Sequence, residues 1–398
     1  MTKKLFEEDV MCRECRAAVL ECRPLKKGFG IVLDQTVFFP EGGGQLSDTG
    51  WLAADGERIP VAHVRTQEGT ILHETQKALP VGCEVTALLD WPARFDHMQQ
   101  HCGEHLLSYA FWKLFGADNV GFHMNPEIVT VDLNKEVTEE QVHEAETMAN
   151  LHIQENRAIQ AEWLEPAEAA RLTMRKFNGQ IAGRLRIVSV AGSDVCTCCG
   201  THPPVTGMVG LVKVFKTEKH KQGTRVYFLC GRLALQEISR RLGSLAEAAR
   251  LLSVKDEEID AAVIRLREEN RQLREKLQAC STVLAEAKVQ ELLRNPPQDA
   301  AGNLLLTVLS GELDAAGAKV LAKRLSEVPK ARAAVAYEAN GRVNYILALG
   351  EGAAGSCREL LQQINTALDG HGGGRDSFAQ GSAPVREGWQ RILAQQLA

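Results

Sequence analysis

The apolar and polar positions of the chain change their period several times. From residue 11 to 90, short apolar runs alternate with turn residues, a pattern typical of closely spaced β-strands. From 94 to 116, apolar residues recur every three or four positions and end at Gly116, which predicts a helix with a glycine at its C-terminus. A second helix is predicted after Thr138, because acidic residues follow this N-cap candidate. Further strand-like segments extend to about 230.

Residues 236–294 contain no proline and a single glycine, so they predict a long helix. Its apolar or small residues alternate steps of three and four, with Asn270 in the one polar slot. These positions are Ile259, Val263, Leu266, Leu273, Leu277, Cys280, Leu284 and Ala287. The period indicates a coiled coil, and packing of the helix on its own domain is the open alternative. After Pro296-Pro297, strands and helices alternate and predict a small α/β domain that ends with a loop at 370–383 and a last helix.

Together these segments predict an α+β protein in four parts. The parts are a small β-barrel-like domain at 1–90, an α+β domain at 91–235, a helical or coiled-coil linker at 236–294 and a small α/β domain at 295–398. Hydrophobic residues make up 44% of the 398 and charged residues 24%, as in ordinary soluble proteins. The chain has no run of about 18 apolar residues and no apolar segment near its start. We therefore expect a cytoplasmic protein outside the membrane.

Charge and cysteine content narrow the chemistry. A net charge of −5 gives no global attraction to nucleic acid, so an RNA partner would need a local basic cluster. One such cluster is Lys213, Lys216, Lys219, Lys221 and Arg225, although most clusters of this kind are solvated surface strands. Eleven cysteines, several of them crowded at 196–199, favour reduced thiols with metal binding as a special use of a few.

Two sequence pairs predict a metal site. His101 and His105 lie four positions apart on the first predicted helix, and Cys198 and His202 repeat that spacing downstream. Three imidazoles and a thiolate suit zinc better than calcium or magnesium. Four protein ligands normally make a closed structural site, whereas a catalytic site needs an open position, and the sequence leaves this choice open. The neighbours Cys196 and Cys199 are alternative thiolates without the spacing of four.

The same first motif, His101-Cys-Gly-Glu-His105, also fits the H-x-x-E-H pattern of inverted zinc proteases, in which Glu104 would be the general base. Such a site needs a downstream carboxylate ligand, but residues 170–194 contain no Glu and only Asp194. The protease is therefore a distant alternative. In either case Glu104 could orient water near the metal.

Five motifs resemble a known family in their order along the chain. They are FFPEGGGQLSDTG, RFDHMQQHCGEHLLS, VGFHMNPEIVTVDL, DVCTCCGTHPPVTGMVG and GHGGGRDSFAQGS. This order is similar to that of the trans-editing alanyl-tRNA deacylases, the AlaX family, in the long form whose C-terminal domain resembles that of alanyl-tRNA synthetase. Two positions depart from the family pattern, since Cys102 replaces a threonine and Cys199 replaces a glycine.

The resemblance implies a function. It implies zinc-dependent hydrolysis, in trans, of tRNA(Ala) mischarged with serine or glycine, without aminoacylation. It also implies that His101, His105, Cys198 and His202 bind Zn²⁺. The alternative from another class is a non-catalytic, zinc-containing tRNA-binding protein. A homodimer through the helix or the C-terminal domain is a further expectation.

The same resemblance brings the glycine-rich segment 40–45 to the editing site, with a plain turn as the alternative. We expect the catalytic residues to be His101, His105, Gln45 and Glu104. We expect substrate contacts from Gly42, Gly43, Gly44, Gly121, Phe122, His123 and Thr130. Phe122 and Thr130 are also good candidates for core positions. We expect tRNA contacts from Lys216, Lys221, Arg225, Gly373 and Arg375.

Overall fold

The computed structural model describes residues 2–125, 127–175, 183–310 and 313–397. Its mixture of helices and sheets confirms the predicted α+β class. Among these residues, every helix is too short or too polar to cross a bilayer. The contacts divide the chain into two compact units, Met1–Ala246 and Glu247–Ala398. The sequence-based boundaries at 90, 235 and 294 remain predictions.

The first unit begins with a closed, antiparallel barrel of six strands. The elements here are β1 (Lys3–Lys4), α1 (Leu5–Glu8), β2 (Glu14–Pro24), β3 (Phe29–Leu33), β4 (Gln35–Thr36), β5 (Gly50–Ala54), β6 (Glu57–Gln67), β7 (Thr70–Thr75) and β8 (Glu84–Leu89). The strand order in the barrel is β2-β3-β7-β6-β5-β8. Buried and solvent-facing residues alternate along β8, as expected for strands with one face on a core. The barrel core includes Phe38 and Phe39, which belong to the segment between β4 and β5.

Next follows the part of the first unit that carries the predicted metal ligands. Its elements are α2 (Trp91–Phe115), β9 (Asn119–Met124), β10 (Val129–Leu133), α3 (Glu139–Gln154), β11 (Ile159–Leu164), α4 (Pro166–Ala169), β12 (Leu185–Val190), β13 (Val195–Thr197), β14 (Val212–His220) and β15 (Gly223–Cys230). A four-stranded sheet, β14-β15-β10-β9, shares its apolar core with α2 and α3. Strands β11, β12 and β13 form a separate sheet.

The helix ends follow the sequence closely. Gly116 caps α2 in the left-handed conformation with φ +59°, as predicted. Helix α2 begins three residues earlier than the predicted start at 94, because Asp90 accepts a hydrogen bond from the Ala93 amide. Thr138 caps α3 in a reciprocal capping box with Gln141. Local side-chain chemistry therefore determines where both helices begin.

The C-terminal elements form a five-stranded sheet with helices. They are α5 (Gly231–Leu252), α6 (Ile259–Leu292), β16 (Leu304–Leu309), α7 (Ala315–Ser326), β17 (Ala331–Ala339), β18 (Arg342–Leu349), α8 (Cys357–Leu368), β19 (His371–Arg375), β20 (Phe378–Pro384) and α9 (Trp389–Leu397). The sheet order is β16-β17-β18-β20-β19, with β16 and β17 parallel and the other pairs antiparallel.

Two expectations for this region are wrong. The single helix predicted at 236–294 is interrupted, because Ser253 adopts φ +55° and a 3₁₀ turn at Asp256–Glu258 precedes α6. The loop predicted at 370–383 is the hairpin of β19 and β20. The glycines that suggested a loop are needed for close approach, since a Cβ on Gly372 would collide with the backbone of Gln380.

Candidate metal centre and adjoining cavity

The structure brings the four predicted metal ligands together. His101, His105, Cys198 and His202 offer ligand atoms that all lie within 4.8 Å of one another. Nε2 of His101 lies 3.0 Å from Sγ of Cys198, and Nε2 of His202 lies 3.4 Å from the same sulfur. The three histidines are buried. Three imidazoles and a thiolate that converge in this way form a donor set that fits zinc.

The Nδ1 atoms of the three histidines differ in whether they have a hydrogen-bond partner. Nδ1 of His105 lies 3.0 Å from Oδ2 of Asp194, so its Nε2 is directed toward the other ligands. Nδ1 atoms of His101 and His202 are buried and have no hydrogen-bond partner among the described residues. A metal bound at Nε2 would therefore order two rings whose Nδ1 atoms no hydrogen bond restrains.

Asp194 is itself held by a buried ion pair. Nε and Nη2 of Arg175 each donate to one of its carboxylate oxygens at 2.8 Å. Although burial opposes the charge, Arg175 and the hydrogen bond to His105 hold the pKa of Asp194 well below its usual range. An ionised Asp194 accepts from Nδ1–H of His105 and fixes the tautomer that presents Nε2.

The electrostatics of the ligands follow from burial and proximity. Burial would raise the pKa of the Cys198 thiol, but the surrounding imidazoles hold it well below its ordinary value. Burial would lower the pKa of His105, but the thiols of Cys196 and Cys198, together with Asp194, raise it well above that value. Burial lowers the pKa of His202 to about 3. The shifts at Cys198 and His202 favour the thiolate and the neutral imidazole that metal binding requires, whereas metal binding would have to release the proton that the raised pKa of His105 retains.

The other two thiols of the motif are placed differently. Cys196 lies on the far side of His105, with Sγ 3.3 Å from Nδ1, and burial raises its pKa to about 11. Cys199 is exposed and lines the adjoining cavity. Among these three cysteines, Cys198 is therefore the one whose sulfur meets two histidines.

The segment that carries Cys198 and His202 is braced from two sides. Gln45 donates from Nε2 to Oγ1 of Thr201 at 2.8 Å and accepts from the Thr201 amide at 2.9 Å. Nη1 of Arg186 donates to the carbonyls of Cys198 and Gly200. Gln45 is 1% exposed and both ends of its amide are occupied. Gln45 therefore braces the Thr201 segment, and its expected catalytic role stays a prediction.

Gly200 packs closely against His101 and against Gln45, one of the residues that brace the Cys198 segment. A Cβ there would lie 2.5 Å from Cε1 of His101 and 2.8 Å from Oε1 of Gln45. Real side chains do not approach this closely, so the position between Cys198 and His202 requires glycine.

Glu104 lines the cavity beside the ligands and is 5% exposed. Its Oε1 accepts from Oγ of Ser108 at 2.5 Å and from Nδ2 of Asn119 at 2.6 Å. Its Oε2 lies 4.0 Å from Nε2 of His105. The carboxylate is thus oriented by one oxygen, and the other oxygen lies next to the ligand cluster.

The glycine-rich segment forms a tight turn. Gly42 and Gln45 exchange two backbone hydrogen bonds, and Gly43 and Gly44 between them have φ of +60° and +82°. Positive φ at both central residues is the requirement of a type I′ turn. A Cβ on Gly44 would lie 2.6 Å from the Phe122 ring, whereas a Cβ on Gly43 would meet nothing within 4 Å. The segment that we expected to approach the site does so as a closed turn.

A buried ion pair joins the residues that flank the glycine turn to α2, the helix that carries His101 and His105. Arg94 of α2 pairs with Asp48, and both side chains are almost fully inaccessible. Arg94 also donates to the carbonyl of Val37 at 2.7 Å, and Asp48 accepts from the amide of Phe39 at 2.6 Å. Barrel, turn and metal ligands are therefore connected through α2.

A cavity of about 460 Å³ opens beside the cluster. Its lining includes Gly43, Gly44 and Phe122 and the buried side chains of His101, Glu104 and His105. The remaining lining residues are Asn119, Trp163, Arg175, Arg184, Leu185, Arg186, Cys196, Thr197, Cys198 and Cys199. Its volume lies within the roughly 300–1,000 Å³ typical of small-ligand sites.

The other expected substrate contacts are dispersed. Phe122 lies edge-on to His101, with ring centroids 5.5 Å apart. Gly42, Gln45 and His123 line a second cavity on the other side of Gly44. Thr130 is buried in β10 and, among the described residues, does not line either cavity. Gly121 packs against Asp132. Of the seven residues, the structure brings Gly43, Gly44 and Phe122 to the cluster.

The basic residues expected to contact tRNA are partly engaged within the protein. Lys216 pairs with Glu218 at 2.7 Å, and Arg225 pairs with Asp132 at 2.6 Å. Lys221 is exposed at the turn between β14 and β15. In the second unit, Gly373 and Arg375 are exposed on β19, an edge strand of the sheet.

Several residues that order the site could not be assigned from the sequence. Asp194 has a sequence signal only as the single carboxylate of residues 170–194, where it argues against a protease. Metal-bound histidines usually donate to a carboxylate, and this rule could have suggested a supporting role for Asp194. Arg175, Arg186 and Asn119 carried no motif.

Two family models match parts of the chain. Residues 12–93 match the model for class II (A) tRNA synthetases, and residues 185–227 match the second additional domain of threonyl- and alanyl-tRNA synthetases. The first match covers the barrel, and the second covers Cys198, His202 and their neighbouring strands.

Curated relatives align over most of the chain. Alanine–tRNA ligase of Pyrococcus abyssi is 30% identical over 96% of this chain and 42% of its own length. The alanyl-tRNA editing protein AlaX-L of Pyrococcus horikoshii is 29% identical over 97% of this chain and 96% of its own length. The chain thus spans about two fifths of the ligase.

Among solved structures, the C-Ala domain of Aquifex aeolicus alanyl-tRNA synthetase matches with 19% identity and a TM-score of 0.23. The match covers 26% of this chain and 93% of that domain. A TM-score this low does not support a conclusion about fold.

Proposed function

Because the chain resembles the alanyl-tRNA editing proteins of the AlaX family along nearly its whole length, as its ordered motifs predicted, we propose that it hydrolyses aminoacyl esters on tRNA. The proposed substrate is tRNA(Ala) mischarged with serine, and glycine is the second candidate amino acid. The observation that carries the proposal is the convergence of His101, His105, Cys198 and His202 beneath a cavity walled by the Gly43-Gly44 turn.

The proposed cofactor is zinc, held by these three imidazoles and the thiolate. When bound, zinc supplies a Lewis acid that can polarise the ester carbonyl or lower the pKa of water. Asp194 orients His105 for this role through Nδ1, and Gln45 and Arg186 hold the Cys198 segment in place. A mutation of one of these supporting residues would therefore lower the affinity for zinc, and the rate of hydrolysis would fall as a consequence.

Glu104 is the proposed proton acceptor. Ser108 and Asn119 hold its Oε1, which leaves Oε2 to take a proton from water at the cavity base. An aminoacyl ester is already activated, so a positioned water and a polarised carbonyl are sufficient for hydrolysis.

Selectivity is proposed to depend on the seryl hydroxyl. The turn at Gly43 and Gly44 presents backbone to the cavity without a side chain in between. A pocket that hydrogen-bonds a hydroxyl leaves buried polar groups unpaired when the hydroxyl is missing, and this can discriminate by several orders of magnitude. Alanyl esters would then be spared.

The second unit is proposed to contact tRNA through β19, where Gly373 and Arg375 are exposed. A second copy of the chain is the proposed partner of α6. Its residues Leu266, Leu273, Leu277 and Leu284, here called the α6 seam, are 54–70% exposed. Exposed leucines at coiled-coil spacing favour helix pairing.

One experiment tests the proposed activity. Zinc-loaded protein is incubated with tRNA(Ala) charged with serine, glycine or alanine, and the remaining ester is measured. Rapid loss of the seryl ester and survival of the alanyl ester are expected. Equal rates on both esters would contradict proofreading, and no hydrolysis of any ester would favour the non-catalytic tRNA-binding alternative.

The site assignment has its own variant pair. His105→Ala should lose both bound zinc and hydrolysis, whereas Cys199→Ser, which changes an exposed neighbouring thiol, should retain both. Full zinc content and full rate in His105→Ala would refute the assignment of the ligands.

A further inference from the structure

The lining of the cavity beside the ligand cluster includes a tryptophan that is more exposed than the others. Trp163 is 38% exposed, and each of the other four tryptophans is buried or half-buried. It lies on β11, the edge strand of the three-stranded sheet, and it lines the cavity. An indole left in contact with water at the mouth of a cavity is available to stack on a ligand.

Three arginines line the same cavity, and two of them have buried structural partners. Arg175 forms an ion pair with Asp194, and Arg186 donates to the carbonyls of Cys198 and Gly200. Arg184 differs, because its side chain is 60% exposed. Its guanidinium is thus the one of the three that remains accessible to a ligand.

Arg184 is held next to Trp163. Its Nη2 donates to the Trp163 carbonyl at 2.5 Å, and its Nε lies 3.5 Å from Oε1 of Glu165, an exposed carboxylate. The first contact fixes the guanidinium at the edge of the strand that carries the indole. The second is a solvent-exposed ion pair, which a ligand anion can replace at small cost.

We propose that Trp163 and Arg184 form an adenosine platform, on which the base of the tRNA 3′-terminal nucleotide stacks while Arg184 contacts the adjoining phosphate. An aromatic face beside a guanidinium recognises a nucleotide by stacking and by charge. The cavity volume of about 460 Å³ exceeds what a seryl group alone requires and leaves room for the attached nucleoside. This inference rests on the proposed function and adds a subsite for the nucleotide that carries the ester.

The platform also explains how the ester would be oriented. His101, Glu104 and His105 are buried lining residues of the cavity, whereas Trp163 and Arg184 are exposed lining residues. A nucleobase held at these exposed residues restricts the position of its ribose, so that the aminoacyl group extends toward the buried ligand cluster. Such positioning lowers the entropic part of the barrier.

The test uses the full-length, zinc-loaded protein and a non-hydrolysable probe, a CCA trinucleotide with serine joined to its terminal ribose by an amide. A second probe lacks the terminal base. Dissociation constants are measured for wild type, Trp163→Ala, Trp163→Phe and Arg184→Met. Leu151→Ala removes another exposed apolar side chain and Arg171→Met another exposed arginine, so these two are the controls.

Trp163→Ala should bind the complete probe about 5- to 100-fold more weakly, as expected for the loss of one base–aromatic stack. Trp163→Phe should restore part of that loss, and the probe without its terminal base should bind wild type and Trp163→Ala equally. Arg184→Met should weaken both probes. The two control variants should match wild type.

The platform is refuted if Trp163→Ala weakens both probes by the same factor or neither of them. This outcome is distinct from failure of the proposed function, which would appear as the inability of wild type to hydrolyse seryl-tRNA(Ala). A platform defect should raise KM for the ester more than it lowers kcat, whereas general damage to the metal centre would lower kcat and the zinc content.

Discussion

At the scale of single residues, two glycines determine the shape of the site. Gly44 allows the Phe122 ring to lie against the turn, and Gly200 allows His101 to lie against the segment that carries Cys198. Neither position has an apolar or charged side chain that a pattern could detect. Their importance comes from the atoms that a Cβ would displace.

Gly44→Ala should lower the rate of deacylation, and Gly43→Ala should affect it much less. Both variants strain a residue at positive φ, at a cost of about 1–3 kcal/mol each. Only the new Cβ at position 44 would push Phe122, which lies edge-on to His101. We expect a roughly tenfold larger loss of kcat/KM for Gly44→Ala, since a displacement of about 1 Å in a positioned site can cost about 10²-fold. Equal losses in steady-state kinetics would contradict this contact.

Gly200→Ala should weaken zinc binding by roughly 10- to 100-fold, the usual consequence of disturbing the support of a ligand. The added methyl group would displace His101 or Gln45. Gly243→Ala is the matched control, because a Cβ at that helical position meets no heavy atom within 4 Å. Competition titrations with a chelator measure both affinities. An unchanged affinity in Gly200→Ala would mean that the packing around His101 relaxes freely.

At the scale of elements, the barrel contains a buried histidine that links β7 to β3 and β4. Nδ1 of His73 lies 2.9 Å from the carbonyl of Ile31 and must carry the proton, so Nε2 accepts from the Thr36 hydroxyl at 2.8 Å. Burial lowers the pKa of His73 to about 4, from 6.5. The barrel therefore requires the neutral ring.

This histidine should make stability fall with acidification. Below pH 6.5 the unfolded chain binds a proton at His73 that the folded chain refuses until about pH 4. The free energy of unfolding should thus decrease between these values, by about 3 kcal/mol at most, and stay constant for this group above them. Urea unfolding of wild type and His73→Gln at several pH values isolates the effect.

The exposed His143 on α3 provides the control, since His143→Gln should keep the wild-type pH dependence. If His73→Gln and wild type lose stability in parallel on acidification, the buried ring does not determine the acid limit of the barrel.

The α6 seam gives a second test at this scale. If two copies pair through it, the protein should sediment as a dimer, and Leu273→Glu with Leu277→Glu should give a monomer by placing charge in an apolar contact. Gln278→Glu lies outside the seam and should leave the dimer intact. A monomeric wild type would contradict the pairing.

At the scale of the whole molecule, the chain consists of two compact units, and the metal ligands all belong to the first. The proposed tRNA contact on β19 belongs to the second. Because the units are separate, ester hydrolysis by the first unit and tRNA binding by the second can be measured separately.

A shortened chain that ends at Leu252, the last residue of α5, should still hydrolyse a seryl ester on a short acceptor-stem RNA. It should act on full-length seryl-tRNA(Ala) at least about tenfold less efficiently than the full chain, because the second binding contact is lost. Arg375→Gln in the full chain should shift efficiency in the same direction. An equal reduction on both substrates would indicate that the second unit supports the site itself.

What the sequence determined by itself is local. The spacing of His101 and His105 and the caps at Thr138 and Gly116 depend on neighbours within a few residues. Helix periodicity places two ligands on one face without any knowledge of the fold. These features could be predicted because each interaction is encoded within a single turn or helix.

Only the tertiary structure decided what joins distant segments. Gln45 meets Thr201 across 156 positions, and Arg175 reaches Asp194 behind His105, although no spacing encodes either contact. The break at Ser253 and the hairpin at 371–384 also escaped prediction, because the first depends on one backbone angle and the second on close packing between strands. Polar side chains buried by folding acquire their roles from the partners that the fold supplies.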